Sequence, residues 1–259
     1  MTGNRIENIK AALKLFDGCE FDIRMSEDRI PVLYHDASIN GTLICETRFE
    51  DFRGLETLEQ LLGDREIVDL VNQSGKKLVI EVKEDLFVHK DNSGQAAKSV
   101  AQIIEEVVNK SEINVENLFV ISFCAPILRW FRGIRTLLII PYINCSPKIS
   151  CFNGEGKCRL TPKTIWMMCR SLKAHVKDAQ NIGCSGLLFS NRFLKGFFSL
   201  FQPSLEQLLS VTDSGFILGT NAKDEKEEEA YKQLWVITDI KTAKVIEQRA
   251  GLLISHRGV

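Results

Sequence analysis

This chain of 259 residues lacks most of the features that would settle its class at a glance. Its net charge is −1, so no overall field steers it toward nucleic acid or an anionic membrane. No apolar run approaches the roughly 20 residues that a membrane-spanning helix needs. The first residues lack the basic-then-apolar pattern of a secretory signal. No low-complexity stretch and no Pro/Gly linker divides the chain, so residues 1–259 are expected to form a single domain. Cysteine is the exception to this scarcity, with eight present. Cys145, Cys151 and Cys158 are spaced more widely than the CxxC pairs that zinc favours, so the expectation is free thiols in a reducing, cytoplasmic setting.

What is present is an alternation of short β-rich runs with longer amphipathic ones. The candidate strands are Gly18 to Arg24, Lys77 to Lys83, Leu118 to Ser122, Thr136 to Pro141, Cys184 to Ser190, Gly215 to Asn221, Leu234 to Thr238 and Gly251 to Ser255. Several are almost continuously apolar, as strands are when helices cover a parallel sheet. Helical periodicity lies between them: Arg5 to Phe16, Ala96 to Val108, Lys163 to Asn181, Ser204 to Val211, Asp224 to Gln233 and Lys241 to Arg249. Eight strands alternating with helices predict a (β/α)8 TIM barrel, a fold that commonly takes about 250 residues.

Charged residues interrupt two of these strands. In Cys19-Glu20-Phe21-Asp22-Ile23-Arg24, Glu20 and Asp22 stand two apart and share one strand face. Glu81 breaks the apolar run Leu78-Val-Ile-Glu81-Val, and Lys83 follows on the same face. Carboxylates crowded into a barrel mouth repel one another unless a cation lies among them. An all-oxygen donor set suits a hard divalent ion, Mg²⁺ or Ca²⁺. Pro31-Val-Leu-Tyr-His35-Asp36 then supplies a histidine, the usual proton carrier near neutral pH, beside an aspartate able to orient it.

The stretch from Glu20 to Asp36 resembles the signature of the glycerophosphodiester phosphodiesterase family, roughly E-x-D-V-x-x-T-x-D-G-x-P-V-x-x-H-D. Ile80-Glu81-Val82-Lys83 is similar to that family's I-E-I-K, Ile121-Ser122-Phe123 to its S-F, Ile237-Thr238-Asp239 to its I-T-D, and Glu7-Asn8 to its E-N-T. His256-Arg257-Gly258 resembles its opening H-R-G, found here at the other end of the chain, which leads to the expectation of a circularly permuted barrel with the family's first strand written last. The chain departs from the pattern at Arg29, where the family has glycine, and at Leu218-Gly-Thr-Asn221, where it has tryptophan.

The resemblance implies hydrolysis of a glycerophosphodiester to glycerol 3-phosphate and an alcohol. Glu20, Asp22 and Glu81 would hold one divalent cation, His256 and His35 would act as acid and base, and Arg257 and Lys83 would bind the phosphate. Two alternatives accompany it. Phe193, Phe197, Phe198 and Phe201 crowd one segment, and an apolar rim there would suit a lysophospholipid or touch a membrane surface, although a short helix packing these rings inward is the favoured reading. The other is a non-catalytic binding module on a barrel scaffold.

Overall fold

The structure, a computed structural model, describes residues 4–83, 93–140, 171–194, 204–210, 215–222 and 225–238. Ten strands are present among them: β1 (Gly18–Met25), β2 (Pro31–Leu33), β3 (Ser38–Ile39), β4 (Thr42–Leu43), β5 (Lys77–Val82), β6 (Leu118–Ser122), β7 (Arg135–Ile140), β8 (Gly186–Phe189), β9 (Ile217–Ala222) and β10 (Trp235–Thr238). The helices are α1 (Ile6–Leu15), α2 (Leu58–Gly63), α3 (Arg65–Ser74), α4 (Gln95–Lys110), α5 (Ala125–Leu128), α6 (Leu172–Asn181), α7 (Leu205–Leu209) and α8 (Glu225–Ala230).

Seven strands, β1 and β5 through β10, pair in parallel, each with the next in chain order. A doubly wound sheet reverses its order at a switch point, whereas a barrel keeps one direction of progress. The chain therefore has the α/β fold of the barrel class. The seven correspond to seven of the eight expected strands; Gly251 to Ser255, and with it the permuted order, lies outside the described residues. The eighth strand of the described sheet is instead β2, which folds back antiparallel on β1 with Ile23 opposite Leu33 and Met25 opposite Pro31.

Alternation along the strands divides the apolar residues into two layers. Phe21, Ile23, Leu78, Ile80, Val82, Leu118, Val120, Leu138 and Leu187 face the helices, among them Ile9 and Leu13 of α1 and Val100 and Ile104 of α4. Val79, Phe119, Ile121, Leu137 and Leu188 form a separate inner cluster, with Ile217, Trp235 and Ile237 against it. Gly186 lies in this inner layer. A Cβ there would stand 2.4 Å from the Ile217 carbonyl oxygen and 2.9 Å from Leu137 Cδ2, so the inner packing leaves no room for a side chain.

Three helices, α2, α3 and the single turn α5, went unread in the sequence, and the first two are fixed by their caps. Thr57 and Gln60 form a reciprocal capping box that starts α2. Asp64 then caps α3 through the amides of Glu66 and Ile67 and takes an ion pair from Lys10 of α1 at 2.8 Å. Of the four clustered phenylalanines, Phe193 is 1% exposed and belongs to the core, so it offers nothing to a rim or a membrane; Phe197, Phe198 and Phe201 lie outside the described residues. His175 is on α6 and buried. Cys19, Cys45, Cys124 and Cys184 are free thiols; Cys145, Cys151 and Cys158 lie outside the described residues. No helix among the described residues is long and apolar enough to cross a membrane.

Replacing Gly186 by alanine is expected to lower folding stability by about 1–3 kcal/mol through overpacking against backbone. Urea unfolding will read it as a lower midpoint at unchanged slope.

Candidate active site

The inner faces of β1 and β5 change character along their length. On β5, Val79 belongs to the apolar inner cluster, and Glu81 and then Lys83 follow at the two-residue strand period. On β1 the same face carries Glu20 and Asp22. Register completes the grouping, because Asp22 is the direct partner of Glu81 across the parallel pair. Glu20, Asp22 and Glu81 each offer a carboxylate oxygen, and these three atoms lie within 4.8 Å of one another. Asp22 and Glu81 are each 9% exposed.

Lys83 answers the charge of this cluster. Its Nζ donates to Glu81 Oε1 at 2.5 Å and lies 2.8 Å from Asp22 Oδ1. Burial pushes the Glu81 carboxyl above its usual range; Lys83 opposes that push, Asp22 adds to it, and His35 opposes it more weakly. For Lys83, burial alone would favour the neutral amine, but Glu81 and Asp22 outweigh it and raise its pKa. The ammonium therefore stays charged, and one cation already sits among the carboxylates.

His35 arrives by way of the antiparallel turn. Because β2 runs back along β1, the Tyr34 amide bonds the Asp22 carbonyl at 3.1 Å, and His35 follows immediately. Arg24 Nε donates to the His35 carbonyl at 2.9 Å. The imidazole is 66% exposed, and its Nδ1 lies 2.7 Å from Asp36 Oδ1. With Asp36 ionised, Nδ1 carries the hydrogen and Nε2 is the nitrogen left to exchange a proton.

Four of the expected site residues on β1 and β5 thus meet in one place, and His35 lies close enough to act on Glu81 electrostatically. His256 and Arg257 lie outside the described residues. Two contributors were missed. Asn4, just before α1, donates from Nδ2 to Asp22 Oδ2 and accepts the Asp22 amide at Oδ1, both at 2.9 Å. Glu56 accepts the Ile6 amide at 2.8 Å and so holds the start of α1. Glu7 and Asn8, matched above to the family's E-N-T, are exposed on α1; the asparagine that reaches the acidic cluster is Asn4. No periodicity points to it, since it lies outside every regular element.

Among the described residues the donor set fits a hard divalent ion: three carboxylates with oxygens close enough to share one centre. Fold and site together define a barrel enzyme with a carboxylate mouth at the strand C-termini, where barrels carry their chemistry. The chain matches the model of the glycerophosphoryl diester phosphodiesterase family over residues 2–136, a span containing Glu20, Asp22, His35, Glu81 and Lys83. It belongs to that family of phosphoric diester hydrolases.

Solved structures agree on the fold. A glycerophosphodiester phosphodiesterase from Parabacteroides distasonis aligns with TM-score 0.64 at 17% identity, over 95% of this chain and 91% of its own. The enzyme from Thermotoga maritima gives 0.62 at 18%, over 97% and 92%. A phosphodiesterase from Oleispira antarctica, solved with the product sn-glycerol-3-phosphate, gives 0.59 at 17%, over 96% and 93%. No curated protein matches the chain.

Lys83→Met is expected to leave the buried carboxylates without their internal counter-ion. Folding stability in chelator should fall by about 3 kcal/mol. Millimolar Mg²⁺ or Ca²⁺ should restore more thermal stability to this variant than it adds to the parent, as read by the shift in Tm.

Proposed function

We propose that this chain hydrolyses glycerophosphodiesters, releasing glycerol 3-phosphate and an alcohol, with one divalent cation held by Glu20, Asp22 and Glu81. The observation that carries the reading is the meeting of these three carboxylates with Lys83 at the strand ends, in a chain of this family. The product seen in the Oleispira antarctica phosphodiesterase supports the same substrate class. Bound there, Mg²⁺ or Ca²⁺ would supply Lewis acidity toward a phosphodiester oxygen and an attacking hydroxyl.

The chain's own groups do the rest. One histidine takes the proton of the substrate's own glycerol hydroxyl as the new P–O bond forms, and the other gives a proton to the departing alkoxide as the old bond breaks; water then opens the resulting cyclic phosphate to glycerol 3-phosphate. His35 is one of the pair, exchanging protons at Nε2 while Asp36 holds Nδ1. By family resemblance His256 is the other, and Arg257 binds phosphate oxygens. Lys83 adds positive charge where the transition state gathers negative charge. A deacylated glycerophosphodiester is preferred to a lysophospholipid as substrate, because Phe193, one of the four rings offered for an acyl chain, is part of the core.

The test is release of glycerol 3-phosphate from a panel of glycerophosphodiesters, with lysophosphatidylcholine alongside. Turnover should need Mg²⁺ or Ca²⁺ and stop in chelator, and His35→Ala should lower kcat/KM by about 10²–10⁴-fold. Full activity in chelator, or an active His35→Ala enzyme, would sink the mechanism. Faster choline release from the lysolipid would move the substrate to the lipid class.

A further inference from the structure

We infer that Asn4 is a positioning residue for the cation site, clasping Asp22 at two points and so deciding which carboxylate oxygen faces the cluster. This deepens the reading of Glu20, Asp22 and Glu81 as a cation site and rests on it. The two oxygens of Asp22 have separate partners: Oδ2 accepts from the Asn4 amide, while Oδ1 faces Lys83 at 2.8 Å. Asn4 also returns its own carbonyl oxygen to the Asp22 backbone amide, so its side chain is held at both ends and rotation of the carboxylate costs a hydrogen bond. A neutral amide is suited to this task. It satisfies one oxygen of an anion in a crowded acidic site without changing the charge that a cation meets there.

The clasp is itself anchored. Asn4 stands two residues before α1, whose first amide, at Ile6, is fixed by the Glu56 carboxylate. The Glu56 backbone carbonyl in turn accepts the amide of Leu33 on β2 at 2.8 Å. The start of α1, the returning strand that delivers His35 and the acidic cluster are thus joined through Glu56, Asn4 and Asp22. A tie that served the fold alone would change stability and leave the cation affinity of the folded protein as it was. A positioning role changes the affinity itself, because hydrogen-bond partners of metal-binding carboxylates typically account for about 10–100-fold in metal affinity.

The experiment titrates the full-length, metal-stripped protein with CaCl₂ and with MgCl₂ by calorimetry. Asn4→Ala should bind about 10–100-fold more weakly than the parent. Its kcat at saturating cation should return to within a few-fold of the parent, since Asn4 orients Asp22 and is not proposed to touch substrate. Asn8→Ala, on the exposed face of α1, should bind as the parent does. Unchanged affinity in a folded Asn4→Ala protein overturns the role, as does a kcat that stays low at saturating cation. Should Asn4→Ala fail to fold, Asn4→Asp keeps the side-chain shape and the acceptor for the Asp22 amide but sets a like charge against Oδ2. Its Tm should then rise more on cation addition than the parent's does, and an equal rise overturns the role. A parent that binds neither cation overturns the cation reading itself.

Discussion

Everything around the mouth of this barrel follows from the cost of holding carboxylates together where water is scarce. Asp22 and Glu81 are direct cross-strand partners, and Glu20 shares their face. Burial and the neighbouring Asp22 charge both push the Glu81 carboxyl up. Lys83 supplies the answering charge from the same strand as Glu81, two residues on, which a strand's period makes unavoidable. A site stabilised by one internal cation is also a site whose charge a divalent ion can answer more fully. The same arrangement of charges therefore sets the stability of the site without a cation and the charge that a cation would meet there.

The parts legible in the sequence were those governed by local period. Seven strands stood out as apolar runs, and the charged interruptions at Glu20, Asp22, Glu81 and Lys83 could be placed on one face because side chains alternate along a strand. Their convergence was only partly legible, since β1 and β5 lie some fifty residues apart and their register is a property of the sheet. The missed pieces are short or non-local. At three residues, β2 shows no alternation, and α2 and α3 begin at caps, Thr57 and Asp64, whose meaning depends on which amides they meet. Asn40-Gly41, both at positive φ, turn β3 into β4, a dipeptide signal that was available and unused. Asn4 could not be found by pattern, because its contact with Asp22 spans eighteen residues and belongs to tertiary structure.

The departure at Arg29 shows how the scaffold absorbs a change next to the site. Arg29 has φ +64°, the left-handed region that explains glycine in the family pattern and costs an ordinary side chain roughly 1–2 kcal/mol. The surrounding turn is determined several times over. Ser26 accepts the Arg29 amide through its carbonyl and the Ile30 amide through its hydroxyl, which also donates to Asp28 at 2.7 Å. Asp28 accepts the Phe49 amide as well, and these bonds, that of Ser26 foremost, hold its carboxyl below the usual range despite some burial. A turn stitched in this way tolerates the strained residue. The stitching matters to chemistry because this turn sends β2 back along β1 and so sets where His35 falls.

The two ends of the described inner face are unequal, and this gives the site its direction. At the strand starts, Phe119 and Trp235 meet edge to face with ring centroids 4.6 Å apart, and the Arg135 guanidinium lies 4.2 Å over Phe119. Above them Val79, Ile121, Leu137 and Leu188 fill the interior, and Gly186 leaves room for its neighbours only by having no side chain. On β5 the charged residues begin one strand period above Val79, while on β1 Glu20 stands level with Val79 as its direct partner. Along the described strands the apolar packing thus lies on one side of the carboxylates and the strand ends on the other. The low-dielectric floor beneath them strengthens each electrostatic contact made above it. The apolar layer and the acidic cluster are thus complementary: the first packs the described inner face, and beside it three carboxylates and a lysine come together, with an exposed histidine nearby.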